Sequence, residues 1–475
     1  MQASNSRDIL FIPEIAGLDA RSSIVRIPPE LDVPLTPRVR RIIDTKAFRR
    51  LANTSQLGFV QLVYPGATHT RFEHSLGVYR LSLLLLKRLA HDEKFAATVK
   101  VKEAETLILA SLLHDVGHFP FCHLIEDLKT PGFKSHEKLA DEYLFGELAP
   151  ILREDWGIDP DDIGAILMKR SPARRNGETE DEYARRKKVF RLLASVLSGP
   201  IDVDKMDYLM RDSHAAGVPY GKNYDLDRLV GSICLNKNGN GVAISVKGKT
   251  AAELMVFARY VMFSEVYWHH AARSATVMFQ RLFDCVASET GVKNIFEKIK
   301  SLSDGKIQTY LWDCCNEGAN ESPKLSEARR LWQGLFGEQR ALFKRIRQFS
   351  AMEESSLYRR VAGRPYPELR KISNLLAEEL NIEPGDVLID APPVDKEVEF
   401  KIDVYYPDEN VYRSLSEVSP VVRALAQEQF DDYVKRVRIF AAPAVAPQLR
   451  GINNFDELFI RVLDKLDSSQ SNQKT

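Results

Sequence analysis

Cysteine is scarce in this chain, and its five thiols (Cys122, Cys234, Cys285, Cys314 and Cys315) form no CxxC pair and no regular spacing. That excludes a disulfide framework and points to free thiols in a reducing compartment. Cys122 stands among histidines, where the choice is between a soft metal ligand and a small buried filler. Long apolar runs are also missing. The purely apolar stretches are as short as Leu83–Leu86, far below the ~20 residues that span a bilayer. No basic start followed by an apolar core suggests a secretory leader, so a cytoplasmic chain with no membrane partner is expected. A charge of one sign is absent too: Lys+Arg and Asp+Glu both number 66. This balance does not indicate a nucleic-acid binder, although a local basic patch stays open. What remains, 475 residues with 44% hydrophobic content, is enough for large buried cores and suggests roughly three domains.

Histidine is where the chain is rich. Seven of its ten histidines fall between His69 and His136, a clustering that packing alone does not require but metal or acid–base chemistry does. The segment Ala110–His123, ASLLHDVGHFPFCH, places adjacent His114 and Asp115 at the end of an apolar, helix-like run. One nitrogen and one oxygen ligand suit divalent ions such as Mn, Mg, Fe or Zn. On a continued helix His114 and His118 would share a face. His74, in RFEH, and Asp204, in IDVDK, supply a third and a fourth ligand. His118, His123, Glu126 and His136 form a second group, suited to general acid–base work on a leaving oxygen. Arg71, Lys205, Arg211 and Arg259 offer the charges a polyphosphate requires. Tyr208, Asp212 and Tyr267 are candidates to meet a sugar or base.

Residues 1–35, with Pro13, Pro28, Pro29 and Pro34, read as irregular. Thr36-Pro37 reads as the start of a helix over Arg38–Leu51. Further helices are expected over Arg71–Leu89, Glu103–Leu113 and Asp202–Arg211, and one or two over Glu253–Cys285. A charged surface loop is expected over Arg170–Lys188. Asn238-Gly239-Asn240-Gly241, between alternating apolar residues, marks a hairpin within Ile233–Val246. Beyond about residue 290 the site chemistry runs out. There Leu325–Phe349 and Gln427–Phe440 read as helices, Asp386–Tyr406 as β. The expected class is mainly α: a helical core with a small hairpin over 36–290, then a C-terminal α+β region over 291–475, packed on the core and used in oligomerisation.

The order His74, His114-Asp115, Asp204 resembles the H…HD…D signature of the HD-domain metal-dependent phosphohydrolases. The runs Tyr64–Val78, Leu112–His123 and Ile201–Gly217 closely resemble the deoxynucleoside triphosphate triphosphohydrolases, and the likeness extends over roughly Asp44 to Asp284. The resemblance implies a divalent metal ion (Mn, Mg, Fe, Zn, Ni or Co) on His74, His114, Asp115 and Asp204. It implies catalytic roles for His118, His136 and His123, with Glu126 as an acidic partner. Arg71, Lys205, Arg259 and His123 would hold the triphosphate. Gln56 and Leu57 would meet the sugar 3′-hydroxyl, and Tyr208, Asp212 and Tyr267 the rest of the sugar, with a tyrosine ring leaving no room for a 2′-hydroxyl. A dNTP substrate, a dNTP or GTP effector and a homo-oligomer, dimer or tetramer, are expected on the same ground. At the family's guanine-sensing site Asp44 is kept, whereas Arg49 and Ala52 replace the other two residues, so guanine activation is not implied. Two other readings stay open: a nucleotidase, nuclease or alarmone phosphohydrolase on the same metal site, and a non-enzymatic scaffold that senses nucleotide.

Overall fold

Arg71–Leu89 is a single helix with the predicted bounds, and Val101–Leu113 and Val203–Ala215 lie close to theirs. Each end has a local cause. Asp202 caps the third helix by accepting from the Lys205 amide, and Thr36 caps Pro37–Ile43 by accepting from Val39. The computed structural model describes residues 6–20, 23–317, 322–391, 401–425 and 434–471. These residues fold as a mainly helical body with small sheets. The three helices share one buried core with Phe190–Leu197 and with the helix Lys249–Met262.

Gly77 allows the closest approach in that core. A Cβ there would lie 1.9 Å from Asp207 Oδ1 and 2.3 Å from Arg211 Nη2, so only glycine lets Arg71–Leu89 meet Val203–Ala215 at this depth. A second core, rich in phenylalanine, joins Phe59 and Phe119 to the helix His270–Thr290. A third gathers Phe349, Ile372 and Phe459 in the C-terminal part.

Ile233–Leu235 and Val242–Ser245 form the expected hairpin. Its second strand pairs in parallel with Asp403–Tyr406, which in turn pairs with Val411–Ser414. The C-terminal region therefore completes a sheet begun in the helical core. A three-stranded antiparallel sheet has Arg436–Ala441 between Lys344–Ser350 and Val387–Asp390.

Several local expectations are corrected. Leu325–Phe349 is not one helix: Pro323–Phe336 is helical and Lys344–Ser350 is a strand, whose arginines mimic a basic helical face. Gln427–Phe440 is a strand from Arg436, and 427–433 lie outside the described residues. That strand is central and almost wholly buried, and its burial does not follow its sequence pattern, because Arg438 is buried beside Asp390. Asp386–Tyr406 holds strands at both ends, and 392–400 lie outside the described residues. The charged loop is shorter than expected, because a Thr179/Glu182 capping box starts the helix Glu180–Leu197 within it. Lys46–Arg49 continues Pro37–Ile43 only after a break at Asp44. Before residue 35 the chain forms an antiparallel pair, Ile24–Ile27 with Leu31–Pro34.

Candidate functional site

His114 stands at the C-terminal end of Val101–Leu113, where the last carbonyls lack helical partners. Its Nδ1 lies 2.9 Å from the Ser111 carbonyl and must donate to it, which leaves the Nε2 lone pair pointing outward. His74 is arranged in the same way from Arg71–Leu89. Its Nδ1 lies 2.9 Å from Asp207 Oδ2, itself held by Arg211 at 2.7 Å. Where each ring keeps a single proton, on Nδ1, the two Nε2 lone pairs face each other at 3.1 Å. Lone pairs at that distance repel unless a cation lies between them.

The oxygens close the cluster. Asp204 Oδ1 is 3.0 Å from His74 Nε2 and 3.8 Å from His114 Nε2. Asp115 Oδ1 is 3.5 Å from His114 Nε2. Neighbouring ligands of a six-coordinate ion with bonds near 2.1 Å lie about 3 Å apart, so His74, His114 and Asp115 could hold one divalent ion, with Asp204 beside the two histidines. Burial opposes a charge on His74, yet hydrogen bonds to Asp204 and Asp207 outweigh it and push the ring up to about 10. The carboxylates thus demand positive charge at this point.

His118 does not share a helical face with His114. The helix ends at Leu113, and the following turns bring His118 Nδ1 to 3.1 Å from Asp115 Oδ1. The second group nonetheless assembles. His118 Nε2 is 3.2 Å from His123 Nε2, the His118 and His136 ring centres lie 4.1 Å apart with the rings tilted by 34°, and Glu126 bonds His136 at both its amide and Nδ1. Burial and Arg71 hold His118 well below the usual histidine range. His136 goes the other way, because its bond to Glu126 outweighs burial. Two adjacent imidazoles with opposite preferences suit one proton acceptor and one proton donor. The Cys122 sulfur also lies within this group, but burial pushes its thiol up, so it stays protonated. Gly117 makes the group possible: a Cβ there would sit 1.9 Å from the His136 carbonyl.

Beside the histidines lies a cavity of about 190 Å³, lined by Gln56, Leu57, Arg71, His123 and Tyr267 among others. Residues 54–56 pair with 69–71 through Arg71 N to the Thr54 carbonyl and Gln56 N to the His69 carbonyl, which sets Gln56 beside Arg71. The Gln56 Oε1 atom is buried without a hydrogen-bond donor. Tyr267 ends a turn of π-helix, Phe263–Tyr267, and its hydroxyl donates to Asp212 at 2.7 Å. Tyr208 meets the Tyr267 ring edge-on at 6.3 Å. Lys205 sits behind this wall, its ammonium 2.5 Å from Asp202 and 3.0 Å from the Gly199 carbonyl. The Arg259 guanidinium lies 5.9 Å from the centre of the Phe263 ring. Arg71 connects the two halves, because it lines the cavity and donates from Nη1 to Asp115 Oδ2 at 2.8 Å.

Sequence reading missed four contributors. Asp207 orients His74, and the IDVDKMD run had put it three residues after Asp204, on the same helical face. His69 shares Asp212 with Tyr267 at 2.8 Å. Phe121, at φ 54°, stacks between Phe59 and Phe279 to wall the cavity. Asp304, beyond the point where site chemistry was expected to end, lines the cavity and accepts from the Ser55 amide at 2.9 Å. Nothing near Asp304 in the chain signals this.

The family profile described as HD domain matches residues 71–190, and the one described as HD associated region matches 224–452. An uncharacterized protein of Methanocaldococcus jannaschii, MJ1154, is 28% identical over 448 residues, covering 94% of this chain and 84% of its own. The deoxynucleoside triphosphate triphosphohydrolase SAMHD1 of Gallus gallus is 29% identical over 341 residues, 66% of this chain. This chain spans 54% of that relative's length, and about half to three fifths of several others. A crystal structure of a hypothetical protein from Aquifex aeolicus aligns over 90% of this chain and 98% of its own, with TM-score 0.66 and 26% identity. No helix among the described residues is long and apolar enough to cross a membrane.

Proposed function

On the premise that this chain carries an HD domain followed by an HD-associated region, we propose that it is a metal-dependent dNTP triphosphohydrolase. It converts a dNTP and water to a deoxynucleoside and inorganic triphosphate. The observation that carries the reading is Arg71, which joins the candidate metal cluster to the cavity through Asp115. A phosphoryl group bound there meets the His/Asp cluster on one side and a nucleoside-sized recess on the other.

His74, His114, Asp115 and Asp204 would hold the ion. When bound, it supplies charge neutralisation at a phosphoryl group and a water more acidic than bulk. The remaining steps belong to the chain. Arg71 and His123, at the cavity wall, bind phosphate oxygens, and Lys205 and Arg259 add charge from behind. Attack of water at the α-phosphorus breaks its bond to the 5′-oxygen, and that oxygen takes a proton. His136, whose proton affinity Glu126 raises, would give it, and His118, held low by burial and Arg71, would accept one. Such displacement rests on positioning and electrostatics. In the recess, the orphaned Gln56 Oε1 accepts from a sugar hydroxyl, since a buried acceptor left unpaired costs about 1–3 kcal/mol. The Tyr267 ring, fixed by Asp212, excludes a 2′-substituent.

Incubation with Mn²⁺ and each of the four dNTPs, with products resolved by ion-exchange chromatography, tests this. Deoxynucleoside and intact triphosphate in equal amounts are expected from at least one dNTP. Pyrophosphate or monophosphate as the sole phosphorus product contradicts it.

A further inference from the structure

On the face of the molecule formed by the ends of Pro160–Leu167 and Glu180–Leu197, a cavity of about 330 Å³ is lined by Lys169, Arg170, Lys187, Arg191, Ser198 and Asn240. No carboxylate lines it. It adjoins a hollow of about 360 Å³ that shares Lys187, Arg191 and Asn240 and adds Lys188 and Tyr183. Together they form one groove with five cationic side chains. Its only acid, Glu180 at the rim, is engaged by Arg174, and Arg170 is partly met by Asp161 at 2.7 Å.

Two features of this groove bear on the proposal: one is unfavourable without a counter-charge and the other sets where the basic side chains lie. Lys187 and Arg191 are four apart on one helical face, a like-charge pair that weakens a helix. Lys169 holds φ 52°, a left-handed position after the helix end that favours glycine. An anion in the groove compensates the first, and the second turns Lys169, Arg170 and Ser171 toward it.

We propose that this groove is a binding site for a linear polyphosphate group, distinct from the catalytic cavity. A chain of phosphates matches it because it spreads several charges along a line and accepts from lysine, arginine and serine alike. The group can be carried by a nucleoside triphosphate, whose base would meet the Tyr183 ring, or be free tripolyphosphate. The groove is separate from the catalytic cavity but linked to it through one hydrogen bond. Ser198-Gly199-Pro200 lines the groove, and the Gly199 carbonyl holds the Lys205 ammonium at 3.0 Å.

The test is calorimetric titration of the full chain with tripolyphosphate and, separately, with a nucleoside triphosphate, both with Ca²⁺ and without a metal that supports turnover. Three proteins are compared: the unsubstituted chain, K187Q/R191Q and R71A. Two classes of site are expected in the unsubstituted chain. K187Q/R191Q, at exposed positions that leave the fold intact, weakens one class by about tenfold or more, and R71A weakens only the other. Equal affinity for the two anions identifies the phosphates alone as the ligand. Tighter nucleotide binding that Y183A abolishes adds the base. Unchanged binding of both anions in K187Q/R191Q overturns the proposal, as does binding of a single-stranded oligonucleotide when neither small anion binds.

Discussion

At His74 the two ring nitrogens do different work, and Asp207 decides which. The carboxylate accepts a hydrogen bond from Nδ1–H, which leaves the Nε2 lone pair directed toward His114 and Asp204. Asp207→Asn can present its amide N–H to Nδ1 and favour the wrong tautomer. Affinity for Mn²⁺, measured by calorimetry, is expected to fall about 10–100-fold, the usual effect of losing the group that orients a histidine ligand, with the fold retained by circular dichroism. Glu126 acts on His136 in a comparable way. Its carboxylate raises the ring's proton affinity, so His136 keeps its proton to higher pH than an ordinary histidine. Removing that charge in Glu126→Gln lowers the pKa of His136. The limb of the pH–rate profile on which activity is lost with rising pH therefore moves to lower pH. An unmoved limb would show that His136 is not the group titrating there. Histidine and aspartate roles of this kind were partly legible in the sequence, because HD, RFEH and IDVDK are dense in ligand types. Asp304 was not, since its place at the cavity comes from packing across almost 250 residues of intervening chain.

The elements that hold these groups were legible where one face is buried and the caps are local. Arg71–Leu89 shows that periodicity, and Asp202 announces the helix that bears Asp204. The strands Lys344–Ser350 and Arg436–Ala441 were misread because one carries a bulge between Arg345 and Arg347 and the other is buried on both faces. The turn after Leu113 was misread for another reason: His114 and His118 have helical spacing, but the helix stops before either. Gly117 marks that turn, and through it the helix His136–Phe145 approaches the site. Gly117→Ala would drive a methyl into the His136 carbonyl and push that helix back. Misplacement of a catalytic group by about 1 Å can cost on the order of a hundredfold in rate. We expect kcat to fall at least tenfold while far-UV circular dichroism and Mn²⁺ affinity stay near those of the unsubstituted chain. Unchanged kcat would place His136 outside the reaction.

Across the whole molecule, three separate stretches, around 71–74, 114–115 and 202–205, converge only because Gly77 lets two helices touch and because a third helix ends beside them. The C-terminal part adds strands to the hairpin sheet and Asp304 to the cavity wall, so it builds the site as well as flanking it. A ligand that binds the folded chain alone stabilises it by mass action, so divalent ions are expected to raise the thermal midpoint and a chelator to lower it. The most direct measurement is the metal content of purified protein, determined by inductively coupled plasma mass spectrometry for the unsubstituted chain and Asp204→Ala. One divalent ion per chain is expected, falling to a small fraction in the variant. A variant that retains a full complement of metal, bound as tightly as before, would contradict the four-residue centre on which the account rests.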